Sequence, residues 1–173
     1  MTRRPRIDRD AEPSADAEAA REAALRILER RRHTRSDLAR KLREKHFAAP
    51  TIEGVLDRLA AVGLVDDVEF ARAFLSSRLG RRPTGLRRLR DQLRVHGVGE
   101  ETANAALALI GEREGVPDEV EAARRLVAQS ARRYAALEPR VRQQRLYALL
   151  ARRGFAADVI RRALAMPAGD PED

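Results

Sequence analysis

Seven arginines crowd residues 78–94: Arg78, Arg81, Arg82, Arg87, Arg88, Arg90 and Arg94, against the single acid Asp91. Guanidinium groups at this density recognise phosphate or carboxylate through forked hydrogen bonds. Their chemistry is anion binding rather than proton or group transfer. At about 100° per residue, a helix here puts Leu86, Leu89 and Leu93 on one stripe and Arg87, Arg90 and Arg94 on the stripe beside it. One face packs and its neighbour offers charge. A passive, solvated face usually interleaves acids with its bases.

The other residues with chemical potential are weaker candidates. Asp66 and Asp67 form an acidic pair that would suit a metal or acid–base site. No third ligand lies near them in sequence, and Asp66 followed by Glu69 has the spacing of a helix-capping box. His33, His46 and His96 lack metal-ligand spacing, and the chain has no Cys to complete a set. There is no glycine-rich phosphate loop of the GxxxxGK[ST] type, no GxSxG elbow and no Ser–His–Asp constellation. The residues point to a binding or regulatory protein, not an enzyme, with no cofactor.

Composition narrows the partner. The 173 residues carry a formal charge of +8, which draws a protein toward polyanions. Lys41 and Lys45 are the only lysines. A GC-rich genome also favours Arg over Lys, so the net sign carries more information than the ratio. Aromatics are few. Phe47 and Phe155 recur at one repeat position, and Phe70 and Phe74 share a helical face, which leaves little for stacking on bases. Nucleic acid would therefore be held mainly by charge. No apolar run approaches the roughly 20 residues of a membrane span. The first residues carry charge without the apolar stretch of a secretory signal. The expected location is the cytoplasm, with no membrane partner.

The elements that position these residues come from a threefold repeat. Leu38, Leu42, Phe47, Ile52, Val55 and Leu56 recur without a gap as Leu89, Leu93, Val98, Ala103, Ala106 and Leu107. They recur again as Leu146, Leu150, Phe155, Ile160, Ala163 and Leu164. Such a repeat fixes the architecture before any local assignment. The residue before Phe47, Val98 and Phe155 is His46, Gly97 or Gly154, where a helix stop favours a left-handed glycine. His46 departs from that preference and predicts strain or a different turn. The preceding cation, Lys45, His96 or Arg153, suits the negative end of a helix dipole.

In chain order, residues 1–15 lack periodicity and read as a disordered arm. The first repeat spans 16–65, with helices over 17–32, to about 45 after a Thr34 or Ser36 cap, and from Pro50 to Gly63. The second spans 66–111, with helices from about 68 to 79, across the arginine stretch, and along Ala103, Ala106, Leu107 and Ile110. Residues 111–117 read as a loop. The third repeat spans 117–166, with helices over 118–135, from Pro139 to Gly154, and over 157–165. Residues 167–173 form an acidic tail. No segment sustains the period-2 alternation of a strand, so the fold class is all-α.

Ser36-Asp37-Leu38-x3-Leu42, Gly63-Leu64-Val65-Asp66-Asp67-x-x-Phe70-Ala71 and Gly85-x3-Leu89-x3-Leu93-x3-Gly97-Val98 together resemble the RecX family of bacterial recombinase regulators. The resemblance covers roughly residues 19–164. It implies three tandem three-helix repeats forming an elongated, curved molecule, acting as a monomer. It implies binding to the filament that the RecA recombinase forms on single-stranded DNA, with contact to that DNA or to double-stranded DNA. Such proteins lodge in the filament groove and inhibit ATP hydrolysis, strand exchange and co-protease activity. The basic second-repeat surface of the family maps onto Arg87, Arg88, Arg90 and Arg94. Arg78, Arg81 and Arg82 extend it, with Lys41 and Lys45 in the first repeat and Arg142 and Arg145 in the third. Two other readings compete: a helix-turn-helix transcription regulator, since a basic three-helix unit can enter a major groove, and a helical scaffold without a nucleic-acid role.

Overall fold

The computed structural model describes residues 15–79, 83–115 and 118–165. Within them the chain forms nine helices and no strand: α1 (Ala15–Leu28), α2 (Arg35–Arg43), α3 (Ala49–Ala61), α4 (Asp67–Leu79), α5 (Leu86–Val95), α6 (Glu100–Glu114), α7 (Glu119–Tyr134), α8 (Pro139–Arg152) and α9 (Ala157–Ala163). The sequence periodicity supplies each with an apolar stripe, and the stripes close into three separate cores. The first gathers Ala20, Ala24, Leu38, Leu42, Ile52, Leu56 and their neighbours from α1 to α3. The second gathers Ala71, Leu75, Leu89, Leu93, Ala103 and Ile110 from α4 to α6. The third gathers Val120, Ala123, Leu126, Leu150, Phe155 and Ile160 from α7 to α9. Most of the repeated positions are fully buried; Phe47, Leu107, Ala163 and Leu164 are partly buried against the same cores. In each repeat the first and third helices share the most extensive contact.

The helix boundaries follow from local chemistry. The buried Thr34 hydroxyl accepts the Asp37 amide at 3.0 Å and caps α2. Asp118 accepts from Val120 and Glu121 at the start of α7, and Glu138 from Arg140 and Val141 at the start of α8. Pro50 and Pro139 sit in first turns, where the missing N–H is not needed. The second helix of every repeat ends in the same turn. His46, Gly97 and Gly154 have φ of 67°, 77° and 82°. The next amide, that of Phe47, Val98 or Phe155, reaches back to the carbonyl of Leu42, Leu93 or Leu150. This is the left-handed helix stop expected of those positions. At His46 the side chain makes it costly, by about 1–2 kcal/mol relative to a right-handed residue.

Several boundaries differ from expectation. Residues 111–114 belong to α6 rather than to a loop, and Gly115, with φ 85°, ends the helix. An interior glycine costs only about 1 kcal/mol; buried Ile110 and the helix formers that follow outweigh Gly111. At the other end of the chain, α1 stops at Leu28 rather than at residue 32. Residues 29–32 are all charged and exposed, and Thr34 must be extended to cap α2. Ala15, expected in the disordered arm, already begins α1. The rest of that arm and the acidic tail lie outside the described residues.

The described residues fall into two compact units, one ending at Asp66 and the other beginning at Asp67. The first holds one repeat. It is tied internally by Arg35 of α2, whose guanidinium reaches Glu53 at 2.6 Å and Asp57 at 2.7 Å on α3.

The second compact unit holds two repeats, joined along backbone. The Gly85 amide donates to the Arg153 carbonyl at 3.0 Å. The Leu86 amide donates to Glu119 Oε1 at 2.8 Å, and the Arg88 guanidinium to the Arg152 carbonyl at 3.1 Å. A Cβ on Gly85 would overlap the Gly154 carbonyl and the Phe155 nitrogen, and one on Gly154 would overlap Arg88.

Candidate polyanion interface

The centre of the site is α5. Leu89 and Leu93 are buried in the second core, and Leu86 packs at its margin. This leaves Arg87, Arg88 and Arg94 exposed; of the predicted stripe, Arg87 and Arg94 face outward. Each cation has a distinct setting. Arg94 pairs with Asp91 one turn back. Arg90 is half-buried; one terminal nitrogen donates to Asn104 Oδ1 of α6 at 3.2 Å, while its Nε is buried with no partner among the described residues. Arg88 leans toward the third repeat through the Arg152 carbonyl. Arg87 points outward, with no partner among the described residues. The expected Arg87–Arg90–Arg94 stripe is therefore two outward groups and one held against α6.

Beside α5, between the second and third repeats, lies a cavity of about 710 Å³. Arg78, Arg88 and Arg153 supply three guanidiniums; Ser77, Thr84 and Gln92 add neutral polar groups, and among the described residues no carboxylate lines it. The Arg78 guanidinium stacks on the Phe74 ring at 3.6 Å, a cation–π contact that holds it in place. It also reaches the Phe74 carbonyl and Ser77 Oγ. A fixed guanidinium loses little entropy when it receives an anion. The chemistry available here is non-covalent: charge-assisted hydrogen bonds to phosphate or carboxylate oxygens. Among the described residues no three His, Cys, Asp or Glu side chains gather as a metal site, and no helix is long and apolar enough to cross a membrane.

The remaining predicted residues are dispersed. Arg81 and Arg82 lie outside the described residues. Lys41 and Lys45 line a second cavity, within the first repeat. Arg145 is exposed on α8. Arg142 is turned inward, donating to the Leu137 carbonyl at 3.1 Å and to that of Ala135 at 3.4 Å, so it closes the α7–α8 turn. Arg153, Thr84 and Gln92 are missing from the sequence-based set. Arg153 had a signal, since it shares the repeat position of Lys45 and His96. The third member of that trio does something else: His96 packs against the Phe70 and Phe74 rings, with centroids at 5.5 and 6.0 Å.

Comparison with known proteins agrees with this architecture. Three family models match in order: the first three-helix domain of RecX over residues 20–59, the second over 66–107 and the third over 117–164. The chain is 42% identical over 142 residues to the regulatory protein RecX of Thermobifida fusca, covering 80% of this chain and 72% of that one. It is 37% identical over 164 residues to the RecX of Halorhodospira halophila, covering 94% and 95%. Its fold is similar to the crystal structure of RecX from Lactobacillus salivarius, with a TM-score of 0.77 at 23% identity over 87% of this chain and 95% of that one. Three consecutive domain matches, and relatives of this similarity over 72% and 95% of their own length, place the chain in the RecX family of regulatory proteins.

Proposed function

We propose that this chain binds the filament of RecA recombinase on single-stranded DNA, lodging in its helical groove, and inhibits ATP hydrolysis, strand exchange and co-protease activity. The observation that carries the reading is the α5 surface with its adjoining cavity. Arg78, Arg87, Arg88, Arg94 and Arg153 face an open surface with Asp91 the only acid on α5. A groove lined by carboxylates and phosphates is complementary to that surface. Several such contacts along one filament add through effective concentration, and a body bridging neighbouring subunits resists the motions that ATP turnover requires. The helix-turn-helix alternative is less well supported, because α6, which follows the turn, opens on Glu100 and Glu101. Those carboxylates would meet phosphates.

The test is recombinase ATPase on single-stranded DNA, titrated with the wild-type chain and with Arg87→Glu/Arg94→Glu. The wild type is expected to suppress turnover. The variant should need at least tenfold more protein, consistent with losing two charge-assisted hydrogen bonds of about 1.5–3 kcal/mol each. Raising the salt should weaken the wild type more than the variant. Equal inhibition by both proteins, with folding matched by circular dichroism, would refute the reading.

A further inference from the structure

The cavity of the first repeat has a different construction from the one beside α5. It measures about 480 Å³ and lies between the C-terminal end of α1 and the outer side of α2. Arg26, Arg30 and Arg31 come from the end of α1 and the turn after it; Lys41 and Lys45, four residues apart, come from α2 and the turn that ends it. His33, 5% exposed, also lines it. Ala23 and Ile27 of α1, also four apart, form an apolar wall. Among the described residues no carboxylate lines it; Glu22, the nearest acid along α1, is engaged by Arg26. The carbonyl end of α1 offsets only about half a unit charge at this rim. Burial first, then Arg31 and Lys41, with Arg40 behind them, hold the proton affinity of His33 below the ordinary histidine value, and Asp37 only partly opposes them.

From these residues we infer that the first repeat carries a binding site for one nucleotide unit, with its phosphate among Lys41, Lys45, Arg30 and Arg31 and its apolar part on Ala23 and Ile27. A bare phosphate would leave most of this volume empty, whereas pockets of this size suit small organic ligands. The lysine stems extend the apolar wall while their heads meet the charge. Phosphate oxygens arriving here relieve the mutual repulsion of the cations. They also favour the protonated form of His33, so binding takes up a proton. Lys41 and Lys45 are also in the set that the family resemblance assigns to filament or DNA contact, but the proposed filament reading rests on the α5 surface and this site is tested without any recombinase, so failure of one does not imply failure of the other.

The experiment uses the full chain and two probes: ADP as a free nucleotide, and a thymidine tetranucleotide as a strand. Binding is measured by calorimetry, and the C2 proton of His33 is followed by NMR across pH. At least one probe is expected to bind and to raise the His33 titration midpoint. Lys41→Gln/Lys45→Gln should weaken that binding about tenfold or more. For the strand it should also flatten the logarithmic salt dependence by about 0.7 for each phosphate that the variant no longer neutralises. A response to ADP that excludes the strand assigns the site to free nucleotides; a response to the strand alone assigns it to nucleic acid. The inference fails if neither probe moves His33, or if the lysine variant binds as the wild type does. It also fails if inorganic phosphate at equal concentration produces the full effect, since the apolar wall would then have no role. The His33 readout in the unmodified chain stands even if the variant folds poorly.

Discussion

Replacing Gly85 by alanine should separate the second repeat from the third. The backbone of Gly85 has φ −71° and ψ 149°, which any residue adopts, so the substitution carries no conformational strain of its own. Gly85 caps α5 as Gly99 caps α6, so the cost of alanine at a cap is common to both variants, and the excess at Gly85 is steric. The added Cβ would overlap the Gly154 carbonyl and the Phe155 amide nitrogen, both backbone, and neither can swing aside as a side chain would. Restoring an ordinary separation of about 3.5 Å requires the start of α5 to move away by about 1 Å or more. That shift breaks the Gly85–Arg153 bond and weakens the Leu86–Glu119 and Arg88–Arg152 bonds. With about 1 kcal/mol for the broken bond, about 0.5 kcal/mol for each weakened one and about 1–3 kcal/mol of overpacking, the expected loss is about 3–5 kcal/mol. This is a large share of the ordinary stability of a domain. Gly99→Ala is the control: its φ is −74° and nothing lies within 4 Å of a new Cβ. It should change stability by less than about 1 kcal/mol, because the lower entropy of the unfolded chain and the poorer fit of alanine at the N-cap of α6 oppose one another. Urea denaturation followed by circular dichroism measures both, and hydrogen exchange at the Gly85 and Leu86 amides localises the change. Equal midpoints for the two variants, or unaltered protection of those amides, would refute the steric account.

Two further substitutions probe other parts of the chain. His46→Gly should stabilise the first repeat by up to about 1 kcal/mol, as the left-handed penalty exceeds the extra backbone entropy of glycine; a drop in the thermal midpoint would contradict this. Burial and the neighbouring cations hold the folded pKa of His33 below the ordinary histidine value, so the unfolded chain binds more protons as pH falls. Stability should therefore decline as pH drops below about 6.5, before the carboxylates titrate near 4. His33→Gln should flatten that decline between about pH 7.5 and 5.5 in urea titrations, and parallel curves for the two proteins would argue against it.

The threefold architecture was legible because it rests on short-range periodicity. Leu38, Leu42 and Phe47 announce a helix, a stop and a hydrophobic latch, and the same grammar repeats at Leu89 and at Leu146. The left-handed turn was legible at Gly97 and Gly154; at His46 the sequence left strain or a different turn open, and the chain takes the strained turn. What was not legible depends on distance along the chain. Leu86 and Glu119 are 33 residues apart, and Arg88 and Arg152 are 64 apart. No periodicity links such pairs, so Glu119 gave no hint that it would cap the start of α5. Arg142 resembled its exposed neighbours in type, yet the carbonyls at the end of α7 claim it. A basic residue binds a partner only if the fold has not already used it, and composition cannot distinguish the two. Gly111 misled for the opposite reason: its local preference was real but smaller than the packing of Ile110.

The seam between Gly85 and Gly154 has a consequence for how this protein can diverge. Main chain meets main chain at Gly85, and the Glu119 and Arg88 side chains complete the junction. Arg87 and Arg94 take no part in it, so the electrostatic character of the outer surface can drift over generations at those two positions while the alignment of the flanking modules is kept.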